Sequence, residues 1–218
     1  MSKEKRSSSK LQFSLEWKTM EVKRLDKTTP DLIPYYDAIV SIVGSSDATF
    51  NSKSAAELDE CLCLGNLADA RNIERLKEKN ITHIINTAEG LGMYSEKGQT
   101  KSLYDDSFTY MGFDAKDNFD YPIMDHFEKV HSFILDARKS NTNCLIHCMQ
   151  GVNRSGVLAT AHIMVKNNIG PISAVQIVYE KRGILLTNCS FISKLLMFAK
   201  ERGYLKLDEN HVLVKGHK

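Results

Sequence analysis

Between Leu145 and Gly156 the chain reads LIHCMQGVNRSG. Cys148 and Arg154 stand at the two ends of one short loop, Ser155 follows the arginine, and no acid or lysine occurs in the stretch. A cysteine behind an apolar strand is ordinarily a buried, inert thiol. Here the surrounding residues argue for chemistry instead. The backbone N–H groups of a loop that enters a helix form an anion site. Such a loop, running through Met149, Gln150, Gly151, Val152 and Asn153 to Arg154, would cradle the three non-bridging oxygens of a phosphoryl group. Gly151 relieves the steric limit on the tight turn. The planar fork of Arg154 matches two of the oxygens. The same positive field lowers a thiol pKa, which makes Cys148 a nucleophile. Ser155 can donate its hydroxyl to the sulfur as it departs, and His147 is placed to hold the loop carbonyls. The chemistry expected is covalent catalysis through a cysteinyl-phosphate.

The elements needed to position these residues are legible nearby. NCLIH reads as a strand, with Cys148 at its carboxyl end, where open α/β sheets bind ligands. SGVLATAHIMVKN is apolar almost all round and reads as a central buried helix. ECLCLG, ITHIIN and FTYMGF are further strands. LADARNIERLKEKN is expected to be one helix, with Leu67, Ala70, Ile73 and Leu76 at helical spacing. YPIMDHFEKVHSFILDARK is an amphipathic helix presenting Ile123, Phe127, Val130, Phe133, Ile134 and Ala137 on one side. ISAVQIVYEKR and SFISKLLMFAKERG close the chain as helices. SSDATFNSKS and AEGLGMYSEKGQTKSLYDDS are polar loops. The alternation predicts an α/β fold with a central, mostly parallel twisted sheet flanked by helices, as a single domain with an N-terminal helical extension.

The leaving oxygen of a phosphate ester needs a proton, and the acid must come from another loop. FDAKDNFDYP, behind the strand FTYMGF, offers Asp114, Asp117 and Asp120; spacing does not choose among them. The pattern HCMQGVNRSG resembles the Cys-five-residues-Arg signature of the protein tyrosine phosphatase superfamily. Together with ITHIINTAEG, YMGFDAKDNFDYPIMDHFEKVHSFI and YEKRGILLTNCSFISKL, it is similar to the dual-specificity branch, in particular its small atypical VHR-like members. The resemblance implies a phosphatase-like fold and Asp117 as the general acid. It also implies Asn188 as a supporting residue near the site, although Thr187 stands where relatives commonly carry Pro. The Lys- and Ser-rich residues 1–10 read as a disordered tail and 11–59 as an N-terminal extension; the resemblance covers a catalytic domain at 60–203, which leaves 204–218 as a C-terminal tail.

Other readings are narrowed by what the chain lacks. A dead binding module would have lost the cysteine, the arginine or the acid. A phosphoinositide phosphatase would carry basic residues inside the loop, and MQGVN has none. A phosphatase of RNA 5′ ends would tend to have Thr where Ser155 stands. No long insertion separates ECLCLG from ITHIIN, so a shallow pocket open to phosphotyrosine and phosphoserine or phosphothreonine is expected. A net charge of +2 over 218 residues gives no reason to expect nucleic acid as a partner. No apolar run reaches membrane-spanning length, and the N-terminus MSKEKRSSSK has no signal-peptide core. Five cysteines, an odd number, point to a reducing cytoplasmic or nuclear setting. Cys61, Cys63 and Cys144 read as structural. The seven histidines show no metal spacing with the cysteines, so no metal and no other cofactor is expected. Phosphoprotein substrates, with protein kinases as candidates, are the expected partners, and no pattern speaks to oligomeric state.

Overall fold

The computed structural model describes residues 19–44 apart from Asp26, together with 54–90 and 101–210. The expected tail at 1–10 and most of the two polar loops (45–53 and 91–100) lie outside the described residues. Five strands form one sheet: β1 (Ala56–Glu57), β2 (Leu62–Gly65), β3 (Ile81–Asn86), β4 (Thr109–Gly112) and β5 (Asn143–His147). Their order is β1-β2-β5-β3-β4. All neighbours run parallel except β1, which pairs antiparallel with β2. Leu62–Gly65 is buried at every position, and β3 and β5 nearly so. Strands covered on both faces need continuous rather than alternating apolar runs.

Helices provide that cover. On one face lie α2 (Leu67–Arg71) and α3 (Ile73–Glu78), which pack Ala70 and Leu76 against Cys63, Ile81, Ile84 and Leu145. On the other lie α4 (Phe127–Lys139), α5 (Arg154–Asn167), α6 (Pro171–Arg182) and α7 (Cys189–Glu201), built around the larger core. In α5 every residue from Arg154 to Met164 is buried, as a helix apolar all round must be. Phe127, Val130, Ile134 and Ala137 form the buried stripe of α4, while Phe133 is half-buried and meets His83 edge-on.

The register places the ends of the strands level. Gly65 and Asn86 both pair with His147, and Gly112 pairs with Asn86. The loops after β2, β3, β4 and β5 therefore emerge along one edge of the sheet. Strand β5 lies between β2 and β3, so Cys148 leaves from the middle of that edge.

Several boundaries differ from the sequence reading. The single helix expected over 67–80 breaks at Asn72, whose side chain accepts from the Arg75 amide at 3.1 Å and starts a second helix. Asn66 and Asp69 form a capping box at the first. Asparagine competes with the helix for backbone donors, which makes it a cap rather than an interior residue. The boundary expected at residue 60 falls inside the sheet, because β1 precedes it. Helix α1 (Ile33–Val43), with Tyr36 and Ile39 buried, joins Leu25 and Leu32 in the main core. The extension thus helps to build the domain. Nor do residues 204–210 behave as a tail: Asp208 is buried, accepting from the Ile172 amide and from Ser173 Oγ (2.8 Å) at the start of α6.

Candidate active site

Strand β5 delivers Cys148 to the sheet edge, and α5 begins at Arg154. The loop between them curls around the sulfur. The Gly151 amide donates to Cys148 Sγ at 3.1 Å, and Ser155 Oγ donates to it at 3.3 Å. Gly151 takes φ +67°, and a Cβ there would run into the Gly65 carbonyl and the Arg182 guanidinium. Burial alone would push the Cys148 thiol up. The charge of Arg154, the Ser155 hydroxyl and the amides of Ser155 and Val152 outweigh it and hold the thiol below its ordinary pKa.

Arg154 is buried, and its Nη1 donates to the Ala115 carbonyl at 3.3 Å. Its Nε is buried with no hydrogen-bond partner among the described residues, 3.8 Å from Asp117 Oδ2. A desolvated guanidinium with an unused donor is set up to receive an oxyanion.

The structure brings Asp117, of the three candidate acids, to this arginine. Asp117 Oδ2 accepts from Asn153 Nδ2 at 3.1 Å, and Oδ1 accepts from Asn188 Nδ2 at 2.8 Å. Asp114 is tied by a backbone bridge to Ala88, and Asp120 lines a separate cleft beyond Phe119. Asn188 is the N-cap of α7; its Oδ1 takes the Ser190 amide at 3.1 Å, which frees its NH₂ for Asp117. Asn153 Oδ1 in turn accepts from the Asn188 amide (3.0 Å) and from Thr187 Oγ1 (3.1 Å). Thr187 thus adds a donor that proline could not supply. His147 is fully buried, its Nδ1 lies 3.4 Å from the Cys148 carbonyl, and burial lowers its pKa to about 4. A neutral ring therefore sits under the loop. Thr87 anchors the same corner, donating from its amide (2.9 Å) and hydroxyl (3.1 Å) to the His147 carbonyl.

One participant is absent from the sequence reading, and another has a role beyond it. Arg182, fully buried at the end of α6, donates from Nε to the Gly151 carbonyl (3.0 Å) and from Nη2 to the Gln150 carbonyl (2.9 Å). By tying these carbonyls back, it turns the amides of the loop toward the sulfur. The only local signal was an arginine before a glycine, which also describes an ordinary helix C-terminus. Asn153 offers more than its backbone amide: its side chain bridges the loop, the Asp117 carboxylate and the start of α7. Cys61, Cys63 and Cys144 are buried and reduced, away from this loop. No group of three or more metal-ligating side chains occurs among the described residues.

Residues 62–201 match the family model described as the catalytic domain of dual specificity phosphatases. The chain is 29% identical over 169 residues to dual specificity protein phosphatase 1B of Arabidopsis thaliana, covering 75% of this chain and 96% of that one. It is 34% identical over 140 residues to MAP kinase phosphatase with leucine-rich repeats protein 2 of Dictyostelium discoideum, covering 64% of this chain and 19% of that one. The fold is similar to that of the human tyrosine phosphatase-like serine/threonine/tyrosine-interacting protein, with a TM-score of 0.64 at 23% identity, covering 69% of this chain and 98% of that one.

Proposed function

The chain belongs to the dual specificity phosphatases, and from that premise we propose that it hydrolyses phosphotyrosine and phosphoserine or phosphothreonine in proteins through a cysteinyl-phosphate on Cys148. The observation that carries the reading is the sulfur itself: buried, lowered in pKa, and hydrogen-bonded by Gly151 N and Ser155 Oγ opposite Arg154. In the first step Cys148 Sγ forms a bond to phosphorus as the ester oxygen leaves with a proton from Asp117. Arg154 and the amides of Met149–Asn153 carry the charge of the equatorial oxygens. In the second step the Asp117 carboxylate takes a proton from water, the water oxygen bonds to phosphorus, and inorganic phosphate and the thiolate separate. Ser155 Oγ then stabilises the departing sulfur.

A loop of Met149–Asn153 without a cation favours a single phosphate over a polyphosphorylated inositol ring. Only two short helices intervene between β2 and β3, so no wall built there restricts the pocket to long aromatic esters. The name of the Dictyostelium relative makes protein kinases reasonable substrates to test. Among the described residues no helix is long and apolar enough to cross a membrane.

The decisive experiment is acid quenching during turnover of phosphotyrosine and phosphothreonine peptides, with mass spectrometry of the quenched protein. Phosphate is expected on Cys148 from both peptides. Turnover with phosphate on another residue, or with none on the protein, would refute the mechanism. Release confined to phosphoinositides or triphosphate RNA would refute the substrate class.

A further inference from the structure

Phe119 lies two residues beyond Asp117 on the same loop. Its ring centroid is 5.8 Å from the Arg24 guanidinium carbon and 5.8 Å from Lys194 Nζ. Lys194 also donates to the Phe119 backbone carbonyl. Behind these cations is Glu21, on the helical stretch 19–25 and fully buried. Glu21 Oε1 receives both Arg24 Nε (3.1 Å) and Arg24 Nη2 (2.7 Å), while its other oxygen is buried without a hydrogen-bond partner among the described residues. Burial pushes the Lys194 ammonium down from its ordinary pKa; Glu21 and Asp120 oppose the fall and Arg24 adds to it. A desolvated carboxylate beside a half-buried ammonium is an expensive arrangement for stability alone. What it holds is a backbone carbonyl of the loop that carries Asp117.

Phe119 is only half-buried, and it borders a cleft of about 550 Å³ that Arg24, Lys194, Met197 and Arg202 also line. With open space beside the ring, polar contacts supplement the packing of the loop, whose Ala115 end is buried in the core. Both anchors on α7 grip the loop, Asn188 at the Asp117 carboxylate and Lys194 at the Phe119 carbonyl. The N-terminal helix supplies Arg24 to the same ring.

We propose that Lys194, backed by the Glu21–Arg24 pair of the N-terminal helix, is a positioning residue for the Asp117 loop. The extension thereby sets how often the acid stands within reach of the leaving oxygen. The inference rests on the reading of Asp117 as the general acid.

The test uses full-length protein and kcat/KM, which reports steps up to loss of the leaving group. Lys194→Met is expected to slow phenyl phosphate about 10-fold and p-nitrophenyl phosphate less than about two-fold, since a displaced acid matters most for a basic leaving group. In an Asp117→Asn background the same substitution should change neither rate. Equal slowing of both esters, or slowing that persists without Asp117, would make Lys194 merely structural and overturn the proposal. If Asp117→Asn alone shows no leaving-group dependence, the acid assignment fails, and with it the premise. Circular dichroism checks the fold of each variant. Should Lys194→Met not fold, Lys194→Ala, which removes the same donor to the Phe119 carbonyl, carries the same test. An unchanged leaving-group profile there would overturn the proposal. Arg24→Gln is expected to move the profile in the same direction by a smaller factor; no movement would remove the N-terminal helix from it.

Discussion

At Cys148 the opposing effects are both large. Burial in a fully covered pocket favours the neutral thiol, and one guanidinium with three hydrogen bonds reverses that preference. Ser155 is the donor that can be removed with least change of shape. Ser155→Ala should raise the thiol pKa, so the acid limb of the pH–kcat/KM profile moves to higher pH. Iodoacetamide alkylation of Cys148 should move with it. The same change should slow breakdown of the cysteinyl-phosphate about 10- to 100-fold, the worth of a hydrogen bond to a charged group. An acid limb that stays in place would mean that Arg154 and the loop amides ionise the sulfur without the hydroxyl. Cys148, Arg154 and Ser155 were legible in the sequence because eight consecutive positions contain the whole arrangement. Asp117 was not separable from Asp114 and Asp120, because all three leave the same strand end, and direction at a loop depends on what the loop packs against.

At the level of elements, two helices that carry no reacting group shape the loop. Helix α6 ends in Arg182, whose guanidinium turns the Gln150 and Gly151 carbonyls away from the sulfur. Arg182→Met keeps the bulk and removes the donors. The buried Gly151 carbonyl then loses its partner, at about 1–3 kcal/mol, and the more exposed Gln150 carbonyl loses its tie as well. We expect a lower melting temperature together with weaker competitive inhibition by inorganic phosphate, because the amides lose their common aim. A stability loss with unchanged phosphate inhibition would show that the loop keeps its shape without Arg182. Helix α7 contributes Asn188 through its N-cap geometry, in which one amide oxygen closes the helix and the amide nitrogen holds the Asp117 carboxylate. Periodicity revealed α4 and α5 well, because a buried stripe or an all-buried helix leaves its spacing in the chain. It missed the break at Asn72, where a side chain competing for backbone amides overrides an otherwise continuous apolar pattern.

For the molecule as a whole, the five described histidines, His83, His126, His131, His147 and His162, all have pKa values lowered chiefly by burial. His162 falls to about 3, with burial first and the neighbouring His131 ring, 4.8 Å away, second. Both of its nitrogens are buried without hydrogen-bond partners among the described residues. The unfolded chain binds protons at these sites from about pH 6.5 downward, and the folded chain does not until pH 4 or below for the two most buried. Their contribution to stability is therefore complete above pH 6.5 and is lost as pH falls toward 4. At pH 5 the loss is roughly 2 kcal/mol for each of His147 and His162 by proton linkage. Melting curves should show a steep fall in stability between pH 6.5 and 5, and His162→Leu should flatten it. An equally steep fall in that variant would place the acid sensitivity elsewhere.

By its sequence alone the chain discloses its α/β class, its central strand and helix, and the loop that joins Cys148 to Arg154. Each of these is written in neighbouring residues, as continuous apolar runs, helical spacing, or a loop whose composition suits one anion. Tertiary structure alone decides that Asp117 meets Arg154 and that Arg182 ties back the loop from 31 positions away. It also decides that residues 19–43 and 204–210 pack into the domain rather than hang from it. These are contacts between distant segments. They depend on strand order and on which helix covers which face, and one strand inserted between two others is not marked by any local pattern along the chain.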